Sequence, residues 1–169
     1  ITTNAGLWRY KIGDTVRFTS VLPYRIKVSG RTKHFINAFG EELIIENAEN
    51  ALQKTSKLHE AEIAEYTAAP VFMEEKEKGA HQWIIEFNKA PTNFEAFAKT
   101  LDLEIQKINS DYEAKRKNNM TLNQLKLVVA KKGLFHEWLA VNDKLGGQHK
   151  IPRLANNRKY IDELLELNA

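Results

Sequence analysis

Hydrophobic side chains recur along this chain with a period of two, then of about 3.6, then of two again, and that switching leaves few folds open. Residues 7–12 alternate, with Trp8, Tyr10 and Ile12 on one side and Leu7, Arg9 and Lys11 on the other. After Gly13 and Asp14 the alternation resumes at Val16 and Phe18, and beyond Pro23 it continues through Tyr24, Ile26 and Val28. Such runs, divided by a proline-containing turn, predict antiparallel strands. Two strands alone are marginal in water, so they are expected to belong to a sheet whose remainder lies elsewhere. Phe35 and Ile36 form a short apolar stretch, residues 37–42 a turn, and Leu43, Ile44, Ala48, Ala51 and Leu52 fall at helical spacing. A strand is predicted over 63–72, a charged turn over 74–78, and a second strand around Trp83, Ile85 and Phe87. Pro91-Thr92 opens a helix in which Thr92 and Glu95 have capping-box spacing, with Phe94, Phe97, Leu101, Ile105 and Ile108 as its buried stripe. A polar helix over 111–117, a strand at Leu125, Leu127 and Val129, and a helix at Phe135, Trp138 and Leu139 follow. Residues 145–155 lack periodicity, and Asn156 is expected to cap a last helix with Tyr160, Ile161, Leu164 and Leu165 inward. From residue 34 the order is β-α-β-β-α-β plus extra helices, an α+β arrangement of ferredoxin-like type.

Composition removes several functional classes. The chain has no cysteine, which excludes a disulfide scaffold and thiolate metal sites. Its five histidines, at 34, 59, 81, 136 and 149, include no i, i+4 pair, so no metal site is expected. The net charge of +3 is spread along the chain rather than gathered on one element, which argues against nucleic acid as a partner. No apolar run approaches the roughly 20 residues of a membrane span. No secretory leader pattern precedes the first alternating run, so no membrane association and a cytoplasmic location are expected. The chain opens on Ile1 and enters its alternating pattern almost at once, which is read as a cut inside a larger protein.

Three stretches carry chemistry. In Tyr10-Lys11-Ile12-Gly13-Asp14 a glycine interrupts an alternating run and a carboxylate follows. A carboxylate accepts two hydrogen bonds and suits a vicinal diol such as a ribose, and the same pentapeptide equally fits a bulge with a solvated aspartate. In the stretch 29–42, Gly30 and Gly40 bracket a basic and apolar segment with Arg31 and Lys33. That pattern fits a hinge, which needs residues able to absorb backbone rotation, or an ordinary connecting loop. In Gly146-Gly147-Gln148-His149-Lys150-Ile151-Pro152-Arg153 a flexible pair precedes a basic stretch pinned by proline. It can deliver one ammonium to developing charge on phosphate oxygens, or it is a solvated loop. His149 is left without a role, and Trp83 and Trp138 are read as core.

Taken together, Tyr10-Lys11-x-Gly13-Asp14, Gly30-Arg31-x-Lys33, the Gly40-Glu41-Glu42 turn and a lysine near the C-terminus resemble the acyl-adenylate-forming enzymes. The stretches 38–48, 109–116 and 147–153 are similar to the bacterial branch of the Gretchen Hagen auxin-responsive family, whose plant members are acyl-acid amido synthetases. The resemblance covers essentially the whole chain. It implies that residues 1–32 end a large adenylating domain, as a leftover hairpin, and that 33–169 form a small mobile lid. It implies that Asp14 binds the ribose of ATP, that Arg31 reaches its ribose or phosphates, that Lys33 sits at the hinge, and that Lys150 stabilises the adenylation transition state. ATP would be a substrate accompanied by Mg2+, with a carboxylic acid and an amine as the other substrates and the missing N-terminal domain as the partner that completes the site. The runner-up readings are a phenylacetate-type acyl-CoA ligase and a non-catalytic ferredoxin-like interaction domain. The phosphate loop and acid pocket have no counterpart here, so the acid is not legible.

Overall fold

The computed structural model describes residues 1–31, 35–73, 77–117, 121–146 and 149–169, without the side chains of 29–31. Lys33 and part of the charged turn expected over 74–78 lie outside the described residues. The chain divides into two compact units, Ile1–Lys33 and His34–Ala169.

The first unit is a hairpin of β1 (Asp14–Val21) and β2 (Tyr24–Arg31), paired antiparallel. Val16 faces Val28 and Phe18 faces Ile26, so the apolar partners share one face, while Arg17 faces Lys27 on the other. Phe18 packs edge-on against Tyr24 at 5.9 Å. That apolar face is largely open, with Phe18 and Ile26 each 60% exposed. The alternating run at 7–12 is not a strand. Gly6 and Arg9 adopt positive φ (98° and 47°), and the chain closes back on itself through Ile1 and Tyr10, whose backbone groups exchange bonds of 2.6 and 2.7 Å. An alternating pattern makes a strand only where a partner edge is available, and none adjoins these residues within the unit.

The second unit begins with β3 (Phe35–Ile36) and β4 (Leu43–Ile44), two residues each and paired to one another. Helix α1 (Ile45–Leu58) leads into a long antiparallel pair, β5 (Glu62–Val71) and β6 (Ala80–Lys89). Helices α2 (Phe94–Ile108) and α3 (Ser110–Arg116) carry the chain to β7 (Lys126–Val129), which pairs parallel with β6. Helices α4 (Leu134–Val141) and α5 (Lys159–Asn168) complete the unit. The α+β class and the predicted element order are present. The sheet order, β5-β6-β7, departs from the ferredoxin-like one, in which the first strand would lie beside β6. Strands β3 and β4 are too short to fill that place, and the helical crossover through α2 and α3 brings β7 there instead, since parallel neighbours need such a connection.

The sheet is covered on both faces. Trp83 and Ile85 of β6 point into one core with Ala48, Ala51 and Leu52 of α1 and Phe97, Leu101 and Ile105 of α2. Ile84, between them, points into a second core with Leu134, Phe135 and Trp138 of α4 and Ile161 and Leu164 of α5. A strand buried on both sides reads as a continuous apolar run, as Trp83-Ile84-Ile85 does. Each such side chain contributes about 1.5–3 kcal/mol by leaving water, so the weight of stability lies in this sandwich.

Two caps differ from expectation. Helix α2 is capped by Asn93, whose side chain accepts from the Ala96 N–H at 2.9 Å, so Thr92 lies outside the helix. Asn156 accepts from the Asn37 N–H at 3.0 Å, and α5 starts at Lys159 with no side-chain cap on its preceding residue. In both cases an asparagine amide competes successfully for a backbone N–H.

Candidate functional site

The hairpin brings the two expected nucleotide ligands together. Asp14 and Arg31 are direct cross-strand partners at the open end of β1–β2, next to a register shift between Thr15 and Val16. Gly13 has φ of 85°, a left-handed conformation that a side chain resists. It aims the chain into β1 so that Asp14, half-buried, opens the strand.

Among the described residues, the segment carrying Lys150 is fastened beyond the lysine. The Thr67 hydroxyl donates to the Pro152 carbonyl at 2.7 Å, the Ala68 N–H to the Arg153 carbonyl at 2.9 Å, and the Ala155 N–H to the Ala68 carbonyl at 3.0 Å. These bonds lay residues 152–155 parallel along the outer edge of β5, where a proline without an N–H is tolerated. Leu154 is fully buried in the first core and Ile151 packs on the second, so the segment grips the sheet from both sides. His149 and Lys150, just upstream, are exposed. Among the described residues Lys150 has no ion-pair or hydrogen-bond partner. Gly147 and Gln148 lie outside those residues.

Arg153, quoted in the sequence motif but given no role there, anchors the same segment through its side chain. Its guanidinium pairs with Glu49 of α1 and stands 5.4 Å from the centre of the Tyr66 ring of β5. Together with Ser56, Ile63 and Glu65 these residues line an open cleft of about 220 Å³. Burial, with the nearby Glu49 carboxylate, pushes the Tyr66 phenol well above its ordinary value, so it stays protonated. No local signal marks Arg153, because Glu49 lies 104 residues earlier in the chain.

Several of the remaining motif residues join a polar lattice, in which Glu41 and Tyr112 are buried. Glu41, fully buried, accepts from the His81 ring at 2.7 Å and from the Phe39 N–H at 2.7 Å. Burial works to raise its pKa, but those two donors and the His81 charge hold it below the ordinary carboxylate value. Gly79 lets the Phe39 ring sit where a Cβ would lie 2.4 Å away, so only glycine fits there. Asn109 caps α3 by accepting from the Tyr112 N–H at 2.8 Å and donates to the Glu41 carbonyl at 2.9 Å. Asp102 accepts from the Tyr112 hydroxyl at 2.7 Å and from Arg116 at 2.9–3.0 Å. Burial and the Asp102 charge raise the Tyr112 pKa. The 109–116 stretch and the Gly40-Glu41-Glu42 turn thus build the frame and contact one another. Among the described residues no three acidic or histidine side chains converge to hold a metal, and no helix is long and apolar enough to cross a membrane.

This fold has solved counterparts. A structure titled "GH3.15 acyl acid amido synthetase" matches with a TM-score of 0.74 at 22% identity, over 99% of this chain and 31% of that one. A second, "AtGH3.15 acyl acid amido synthetase in complex with 2,4-DB", matches with a TM-score of 0.72 at 21% identity, again over 99% and 31%. The chain therefore spans about a third of the length of these structures, and at such identity the likeness shows the fold. Among curated proteins none matches. Residues 46–159 match the GH3 family C-terminal domain and residues 1–31 the GH3 family central domain. The chain belongs to the GH3 family, of which it is a C-terminal part.

Proposed function

We propose that this chain forms the nucleotide-gripping hairpin and the lid of an ATP-dependent acid–amino acid ligase. In the first half-reaction a carboxylate oxygen of the acid attacks the α-phosphorus of ATP, and the bond to the bridging oxygen breaks to release pyrophosphate. In the second an amine nitrogen attacks the acyl carbon, loses a proton, and AMP leaves. Asp14 accepts hydrogen bonds from the ribose hydroxyls, Arg31 reaches the ribose or phosphates, and Lys33 serves as the hinge. Lys150 places its ammonium on the charge that develops at the α-phosphate. Magnesium would arrive with the nucleotide, and the acid pocket belongs to the part of the protein outside this chain. Such a ligase draws on cytoplasmic ATP, which is where we place it.

The observation that carries this reading is the state of Lys150, exposed and without a partner among the described residues, immediately before a segment bonded to β5. A cation kept out of the protein's own ion pairs on a short leash suits delivery to a phosphate elsewhere. Carboxylate-dependent ATP–pyrophosphate exchange by the full-length protein tests it. The Lys150→Ala variant is expected to lose about 10²–10³-fold in exchange rate, as removal of one transition-state donor does. Exchange at the wild-type rate would remove Lys150 from the reaction. Supplying amino acids or coenzyme A to the preformed acyl-adenylate then identifies the acceptor, with amide formation expected and thioester formation overturning the amino-acid assignment. The isolated chain is expected to bind ATP poorly, since it holds only part of the site.

A further inference from the structure

We infer that Arg153 is a positioning residue for Lys150, fixing through Glu49 and Tyr66 the register in which the lysine loop lies on β5. The inference rests on the role proposed for Lys150. The backbone pairing of this segment centres on a single parallel bridge, Ala68 to Leu154, with one further bond from the Thr67 hydroxyl. So short a pairing does not specify its own register. A two-residue slip keeps the same type of backbone bond, trades Leu154 for Pro152 or Asn156 at the core face, and moves everything attached by about 7 Å. Lys150 lies three residues upstream of Arg153, with no anchor of its own among the described residues, so it would move with the slip.

Arg153 discriminates between registers because its two partners sit on different elements. Glu49 projects from α1 and Tyr66 from β5, and the guanidinium meets both in the register that sets Arg153 beside Ala68. Its planar fork holds the carboxylate while its face lies against the aromatic ring. Tyr66 is itself held, stacked on the buried Trp83 at 5.8 Å with an interplanar angle of 20°, so the reference surface is rigid. Leu154 supplies burial, which favours docking of the segment, and Arg153 supplies the directional contact that says where. Neither Arg153 nor Glu49 needs to touch substrate for this.

The test is a double-mutant cycle in the full-length protein, read by ATP–pyrophosphate exchange. Arg153→Gln is expected to lower kcat about 10-fold with KM for ATP unchanged, within the roughly 10²-fold that a 1 Å misplacement of a catalytic group can cause. Glu49→Gln, on an exposed helix surface, should give a smaller loss of the same kind. In a Lys150→Ala background Arg153→Gln should add nothing, because the residue it positions is gone. An equal loss in that background would show Arg153 acting independently and overturn the inference. So would wild-type kcat in both Arg153→Gln and Glu49→Gln while Lys150→Ala collapses, an outcome that leaves the proposed function standing. An unaffected Lys150→Ala variant would remove the reading beneath it.

Discussion

Asp102 and Arg116 meet inside the protein, with side chains 3% and 10% exposed, whereas Glu49 and Arg153 meet at its edge, each close to half exposed. The inner pair is one node of a lattice that also holds Tyr112, Gln106 and the Leu125 N–H. Every acceptor site of the Asp102 carboxylate is used there, as a buried charge requires. The outer pair has water around it, and exposed pairs of that kind contribute only about 0–1 kcal/mol. The difference teaches that charge buried in this unit holds helices α2 and α3 to the sheet, while charge left at the edge specifies position at little gain in stability. Both pairs include a residue from a family-like motif, and only burial tells them apart.

Removing Asp102 should have the largest effect. Asp102→Ala leaves the Arg116 guanidinium and the Tyr112 hydroxyl without their acceptor, and breaking such a pair costs about 3–5 kcal/mol. In calorimetry that corresponds to a Tm lowered by roughly 10–17 °C for a unit of this size. A loss as small as that of an exposed pair would break the comparison. Glu41→Gln should cost about 1.5–3 kcal/mol, the usual scale for a buried hydrogen bond to a charged group.

The same substitution carries a pH signature. Glu41 has a folded pKa below 4.5, the ordinary value of its carboxyl group. The stability it adds is therefore present above that value and is lost as pH falls through the lower folded pKa. Urea titrations of the wild type should show stability dropping below about pH 4.5, and Glu41→Gln should flatten that drop. An acid limb of equal steepness in the variant would mean another carboxylate controls it. Asn93→Ala, which removes the α2 cap, should cost about 1 kcal/mol. At the small end, Lys150→Ala should leave Tm within the scatter of surface substitutions, about 0.5 kcal/mol. A large thermal shift from that change would mean the lysine belongs to the frame after all.

By itself the sequence determined the alternation of strand and helix from residue 34 onward, because periods of two and 3.6 follow from local backbone geometry. It also determined that Trp83, Phe97 and Trp138 lie inside, and through its motifs it pointed to the family. The tertiary structure decided what depends on distant partners. It placed β7 rather than the first strand beside β6, because β3 and β4 are too short to span the sheet. It left residues 7–12 out of any strand for want of an edge to pair with, gave the α2 cap to Asn93 instead of Thr92, and turned Asn156 to Asn37 instead of α5. It made Glu41, Asn109 and Arg116 parts of a buried frame. And it seated residues 152–155 on β5, which turns an aperiodic loop into a fixed base for Lys150. A local pattern records what a residue can do with its neighbours in sequence; which charge is buried and which is left free depends on what the fold brings against it.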